Sequence, residues 1–142
     1  MNQQDTTLLP SLPLIGLFAY TALSKLQAPD VFLKAMLNQP LPEWLSSPLV
    51  WAIPLLEGLA VFLLLYRPLR LWGFLLSSGL MLLFTGYVLL ILQGSFGYVP
   101  CSCGGMLEGL SWEQHLWVNL FFLAVSLWGF FKSLQIHTSQ KA

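Results

Sequence analysis

An all-α, lipid-embedded bundle of four helices is the fold class this sequence predicts, on three observations. Hydrophobic residues make up 56% of the 142 and charged residues only 8%, where a soluble domain carries about 25%. The mean hydropathy is +0.72. Four apolar runs of about 18–23 residues match the ~20 needed to cross a hydrocarbon core ~30 Å thick. So short a chain with so few charges cannot cover its apolar surface with polar groups, and lipid is its natural solvent. The net charge is +0 with no basic block, which argues against nucleic acid as a partner. With no Pro-rich or Gly/Ser linker and no repeat, residues 1–142 read as one four-transmembrane-helix domain.

The first helix is expected from about Leu8 to Leu26. Pro10 and Pro13 lie in its first turns, where proline costs least. The N-terminus holds Asp5 but no Lys or Arg, and no small-residue cleavage site follows the run. We therefore read it as a retained helix rather than a signal peptide. Gly16, Tyr20 and Ser24 recur every four residues and form a small or polar stripe suited to helix packing. Residues 27–47 form a polar connection. Within it Val31–Leu37 predicts a short interfacial helix with Asp30 as N-cap, ended by Pro40 and Pro42.

The second span runs from about Pro48 to Leu65 and carries Pro54 and Glu57 deep in an apolar run. The tight linker Tyr66-Arg67-Pro68-Leu69-Arg70 follows. The third span covers about Leu71 to Gln93, with Ser78, Gly79 and Gly86 as expected close-approach positions. Ser111-Trp112-Glu113-Gln114 reads as a capping box, which starts the fourth span near Trp112; it continues to about Leu134. Asn119, Ser126 and Ser133 are spaced by seven and should face the bundle.

Four spans put both chain ends on one side. Arg67, Arg70, Lys132 and Lys141 share that side, while Lys25 and Lys34 lie toward the other. The excess of positive charge on cytoplasmic segments then predicts an N-in/C-in topology. Arg67 and Arg70 read as topology anchors. Trp44, Trp51, Trp112 and Trp117 read as an outer aromatic belt, with Trp72 and Trp128 as the inner one.

Both cysteines of the chain stand in Pro100-Cys101-Ser102-Cys103-Gly104-Gly105, between the third and fourth spans. On the topology above they face the periplasm, where thiols meet oxidising conditions. Cysteines one residue apart can reach the Cα spacing of a disulfide in a turn. The ring so closed constrains little chain entropy and makes a poor staple, whereas strained, exposed disulfides exchange readily. The pair is thus a candidate thiol–disulfide exchange site. Two alternatives stand beside it: a soft-metal site using Cys101, Cys103 and His115 for Cu(I) or Zn, and an inert local disulfide or thiol pair. His115 is also a candidate base for generating a thiolate, or simply an interfacial residue.

Glu57 is the second candidate. A carboxylate at mid-membrane costs about 2.5–3.5 kcal/mol on insertion scales, so it faces the bundle and is paired or functional. Counted from Pro48 it lies about 13 Å into the membrane. Lys25 on the antiparallel first helix is its expected partner, because each side chain leans toward the other along its own helix. The pair reads either as a proton- or quinone-linked site tied to the thiols, or as an ion pair that fixes packing. A protonated Glu57 bonded to Ser24 or Asn119 is a further alternative. There is no Gly-rich phosphate loop, no Ser/His/Asp arrangement and no Cys-x-x-Cys pair, so hydrolase and kinase readings have no support.

Ser24-Lys25-Leu26 with Pro29 and Phe32, Pro54-Leu-Leu-Glu57-Gly58, and Gly94 through Pro100-Cys-Ser-Cys-Gly104 together resemble the MauE/DoxX-like redox-associated membrane proteins. The three elements fall in that family's order, across about residues 15–130. The resemblance implies a four-helix inner-membrane protein with Lys25, Glu57, Cys101 and Cys103 as site residues. In the MauE branch it implies maturation of the disulfide-rich small subunit of methylamine dehydrogenase. In the DoxX branch it implies a subunit of quinone-linked sulfur oxidation. Gly105 follows Gly104 where the methylamine branch usually has Phe-Gly. The expected partners are the lipid bilayer and a periplasmic protein with thiols or disulfides, such as a thioredoxin-like protein or a dehydrogenase subunit. A membrane quinone is the candidate cofactor. The competing function classes are a non-catalytic docking subunit and metal delivery through the same loop.

Overall fold

The computed structural model describes residues 5–98 and 109–141. Among these, all regular structure is helical: α1 Leu8–Gln27, α2 Pro29–Leu37, α3 Glu43–Leu65, α4 Arg70–Leu92 and α5 Trp112–Lys141. Short 3₁₀ turns at Asp5–Thr7 and Arg67–Leu69 precede α1 and α4. Leu8–Gln27, Glu43–Leu65, Arg67–Leu92 and Trp112–Lys141 are each long and apolar enough to cross a membrane. The molecule is a multi-pass membrane protein.

The four long helices close a ring. α1 packs on α3, α3 on α4, α4 on α5, and α5 returns to α1. Each neighbouring pair in the ring is antiparallel. The buried positions explain why. On α1 they are Ser11, Leu14, Phe18 and Ala22. On α3 they are Ser46, Val50, Pro54, Glu57, Ala60 and Leu64. On α4 Arg70, Phe74, Ser77, Met81, Val88 and Ile91 follow the same alternation of three and four. On α5 Ser126 and Gly129 continue it. A period near 3.5 keeps one seam of each helix facing its neighbours along the whole bundle. Leu14, Phe18, Ala60, Leu64, Phe74, Leu80 and Met81 form the central apolar cluster. The outward faces carry Leu55, Phe62, Leu83, Trp117 and Phe121, all exposed, as lipid-facing side chains should be.

Several boundaries differ from the sequence expectation. α3 begins at Glu43, five residues before Pro48, with Pro42 as its N-cap and both Pro48 and Pro54 inside it. Proline inside a helix removes a backbone donor, but membrane helices tolerate the loss when their surroundings satisfy the freed carbonyl. α2 begins at Pro29, so Ala28 is its N-cap and makes no side-chain cap. Asp30 instead acts as an acidic residue of the first turn, where its charge meets the positive end of the helix dipole. α5 runs to Lys141 rather than Leu134. The capping box is present: Ser111 N–H donates to Gln114 Oε1 at 2.9 Å, and Gln114 N–H donates to Ser111 Oγ at 3.3 Å.

The small-residue stripe is also corrected. Gly16 and Tyr20 face outward, and a Cβ built at Gly16, Gly79 or Gly86 meets nothing within 4 Å. Close approach occurs elsewhere. A Cβ at Gly73 would stand 2.8 Å from Leu64 N, and one at Gly129 would stand 2.2 Å from Phe74 Cε1. Ser78, by contrast, is a packing position: its hydroxyl donates to Ser126 Oγ at 3.1 Å, and Ser126 donates onward to Leu123 O at 2.9 Å. Ser126→Ala is expected to cost only about 0.6 kcal/mol, the average for interhelical hydrogen bonds in membranes. Equilibrium unfolding in mixed micelles measures it.

Arg70 is no surface anchor. It is buried, its Nε–H donates to Leu64 O at 3.0 Å, and Nη1–H donates to Thr7 Oγ1 at 3.0 Å. Leu64 O is one of the last carbonyls of α3 and has no partner further along its helix. Arg70 therefore ties the end of α3, the start of α4 and the turn before α1 together.

Candidate functional site

α1 ends at Gln27, whereas α3 starts at Glu43 and extends past that level. α2 fills the step. Phe32 and Met36 of α2 pack on Val50 of α3, with Leu33, Leu41, Leu49 and Ile53 around them. The helix thus lies as a short roof over the end of α1.

Beneath that roof Lys25 and Glu57 meet. Lys25 Nζ donates to Glu57 Oε1 at 2.5 Å, and the two side chains are 14% and 2% exposed. The antiparallel seam makes this meeting inevitable: Lys25 follows Ser11 and Phe18 at intervals of seven, and Glu57 lies seven from both Val50 and Leu64 on the facing seam. Lys25, not Ser24 or Asn119, bonds the carboxylate. Because α3 begins at Glu43, Glu57 stands 14 residues into its helix, about 21 Å along the helix axis from its start.

The pair is incompletely satisfied. Glu57 Oε2 is buried and accepts no hydrogen bond among the described residues. Thr21, one turn before Lys25, stands beside the carboxyl, but its hydroxyl donates to Phe18 O at 3.3 Å. Rotation of that one hydroxyl would turn its proton toward the carboxylate. Above the pair, the Phe32 ring centre lies 5.5 Å from Lys25 Nζ, within cation–π range. Thr21 is the site residue that sequence reasoning passed over, although it precedes Lys25 by four and shares its face. Phe32 entered the sequence reading only through the family resemblance, because its place over Lys25 depends on how α2 folds back.

The same end of the bundle anchors the flank of the cysteine segment. Tyr87 on α4 hydrogen-bonds Gln39 Oε1 just after α2, and the Tyr98 hydroxyl reaches Asn38 O at 3.5 Å. Cys101 and Cys103 themselves lie outside the described residues. Across that segment, His115 stands in the first turn of α5. Its Nδ1 is 3.0 Å from Ser111 O. A carbonyl only accepts, so Nδ1 carries the hydrogen, and Nε2 is the basic nitrogen of the neutral ring. Trp112 packs against the imidazole at 5.7 Å. Among the described residues, no cluster of three His, Cys, Asp or Glu side chains has metal-site geometry.

Neither a curated protein nor a solved structure matches the chain. The family model described as methylamine utilisation protein MauE matches residues 4–132. That span takes in the Lys25–Glu57 pair, the roof helix and both cysteines, and the chain belongs to the MauE family.

Proposed function

We propose that the protein is an inner-membrane redox accessory whose Cys101 and Cys103 exchange disulfides with a periplasmic protein. The observation that carries this reading is the match of residues 4–132, cysteines included, to a family tied by name to methylamine utilisation. The topology follows from charge. Arg67, Arg70, Lys132 and Lys141 lie at the end that holds both termini, while Lys25 at the other end is already paired with Glu57. That leaves Lys34 as the one unpaired Lys or Arg among the described residues at the cysteine end, which favours placing that end outside.

The exchange is a two-electron step. A partner thiolate attacks the Cys101–Cys103 disulfide, a mixed disulfide forms, and the second partner thiol displaces it. The partner leaves with its disulfide made, and Cys101 and Cys103 are left as a dithiol. A membrane quinone, when bound, supplies the acceptor that takes both electrons and both protons back. Lys25 offers ammonium donors and Glu57 a buried oxygen without a donor, a combination suited to holding a polar head group and passing protons at this end. His115, at the start of α5, is the candidate base for a thiol proton, with Nδ1 bonded to Ser111 O. A disulfide-rich dehydrogenase subunit is the partner that the resemblance to the MauE branch implies.

Thiol trapping in intact cells tests the reading. Cys101 and Cys103 should resist an alkylating probe until a reductant is added, and the Cys101→Ser and Cys103→Ser variants, which have no disulfide to offer, should leave the partner reduced. Equal labelling with and without reductant rejects disulfide exchange. Full function of the double Cys→Ser variant would leave only a docking subunit.

A further inference from the structure

We propose that the opposite end of the bundle carries a second site, which binds a phosphate-type oxyanion between the start of α4 and the end of α5. A cavity of about 240 Å³ opens there, lined among others by Thr7, Arg67, Arg70, Ser133, His137 and Gln140. Among the described residues its lining holds no carboxylate. Arg67 and Arg70 therefore share a wall on which no described residue supplies a carboxylate. A buried guanidinium with a second cation at its rim favours an anion between them.

Arg70 is the built part of the site. Only 5% of it is exposed, and Leu64 O and Thr7 Oγ1 hold it in place. Those two bonds leave outer N–H groups of the guanidinium for the cavity. Arg67, on the 3₁₀ turn, is exposed and free to close from the rim. Ser133 and His137 lie four residues apart on α5 and present a hydroxyl and an imidazole on one face. Paired Arg groups with hydroxyl and ring donors suit a tetrahedral oxyanion, which arginine engages bidentately. The chemistry fits an anionic phospholipid headgroup at the membrane surface, or a phosphate free in solution. Basic pockets between membrane helices hold such headgroups.

Thermal unfolding of the full-length protein in nanodiscs distinguishes the sources. One arm compares discs of zwitterionic phosphatidylcholine with discs that include phosphatidylglycerol. The other adds inorganic phosphate to the phosphatidylcholine discs, against chloride at matched ionic strength. Ligand at about ten times its Kd should raise Tm by about 3–6 °C. Arg67→Gln and His137→Gln, which spare the structural Arg70, should each remove most of the rise. Lys132→Gln, an exposed cation at the same end but outside this cavity, should keep it. A rise in the lipid arm alone assigns the site to a headgroup, and a rise with phosphate alone assigns it to a free anion. Equal Tm in every condition, or a rise that survives Arg67→Gln, overturns the proposal.

Discussion

Lys25→Met is expected to destabilise the bundle by about 3–5 kcal/mol, the cost of leaving one partner of a buried ion pair alone. Glu57 has no alternative donor in place, since Oε2 is already without one among the described residues and the Thr21 hydroxyl is turned to Phe18 O. It is also only 1% exposed, so its short side chain is closed off from water. Glu57→Gln should cost less, about 1–3 kcal/mol. Lys25 lies two residues from the end of α1 and is 14% exposed, so its long stem lets the ammonium move toward the interface. The double variant Lys25→Met/Glu57→Gln should recover most of the larger loss, because neither charge then stays buried. Unfolding free energies in mixed micelles give the order, and a single Lys25→Met loss under 1 kcal/mol would contradict it.

The double variant also separates the two meanings of the pair. If Lys25 and Glu57 serve only packing, a stable double variant exchanges disulfides at the normal rate. If they pass protons during reoxidation of Cys101 and Cys103, that rate should fall by about 10²-fold, the scale of a lost general acid–base group. The rate at which the thiols reoxidise in membranes reads this directly, independent of stability.

The pairing was legible because two rules converge on it. A carboxylate in an apolar run demands a partner, and the inclination of side chains on antiparallel helices points Lys25 and Glu57 at each other. Of the seven-spaced Asn119, Ser126 and Ser133, only Ser126 is buried in the seam, and the other two are half-buried. What misled was punctuation. Pro42 and Pro48 read as a break, yet Pro42 caps α3 and Pro48 lies within it. The expected start was therefore five residues late. At the other end, the apolar run of α5 stops near Leu134 while the helix continues to Lys141. Hydropathy marks where lipid ends. Backbone hydrogen bonding continues into water, helped by a cation in the last turn.

Arg70 shows a different limit. By composition it is one of a pair of linker arginines, indistinguishable from Arg67. Only the fold reveals that one is exposed and the other buried against Leu64 O and Thr7. Sequence separation hides the contact, since Thr7 and Arg70 are 63 residues apart. Glycines failed for the opposite reason. Gly16, Tyr20 and Ser24 are regularly spaced, yet Gly16 and Tyr20 face outward, because spacing alone does not say which side of a helix meets lipid.

Gly129→Ala is expected to destabilise the protein by about 2–3 kcal/mol, against the ~1 kcal/mol that alanine gains over glycine in a helix. The new Cβ would stand 2.2 Å from Phe74 Cε1, 2.5 Å from Cζ and 2.6 Å from Cδ1. Phe74 is fully buried in the central cluster, so its ring has no empty space to enter. The pairing of α4 with α5 is the most extensive in the bundle, and this is its tightest point. The clash is with a side chain, so it can be relieved. Phe74→Leu alone leaves a void, but combined with Gly129→Ala it removes the collision. The double variant should then lose less than the sum of the singles, by at least 1 kcal/mol of coupling. Gly73→Ala provides the contrast. Its Cβ would press on Leu64 N at 2.8 Å and Leu63 C at 3.0 Å, both backbone, as well as Leu64 Cδ2 at 3.0 Å. Trimming Leu64 to Ala relieves only the last of these, so no such rescue is expected. Calorimetry of the six variants in one lipid system decides the matter, and additive losses at Gly129 and Phe74 would mean that α5 shifts away from α4 rather than pressing on the ring.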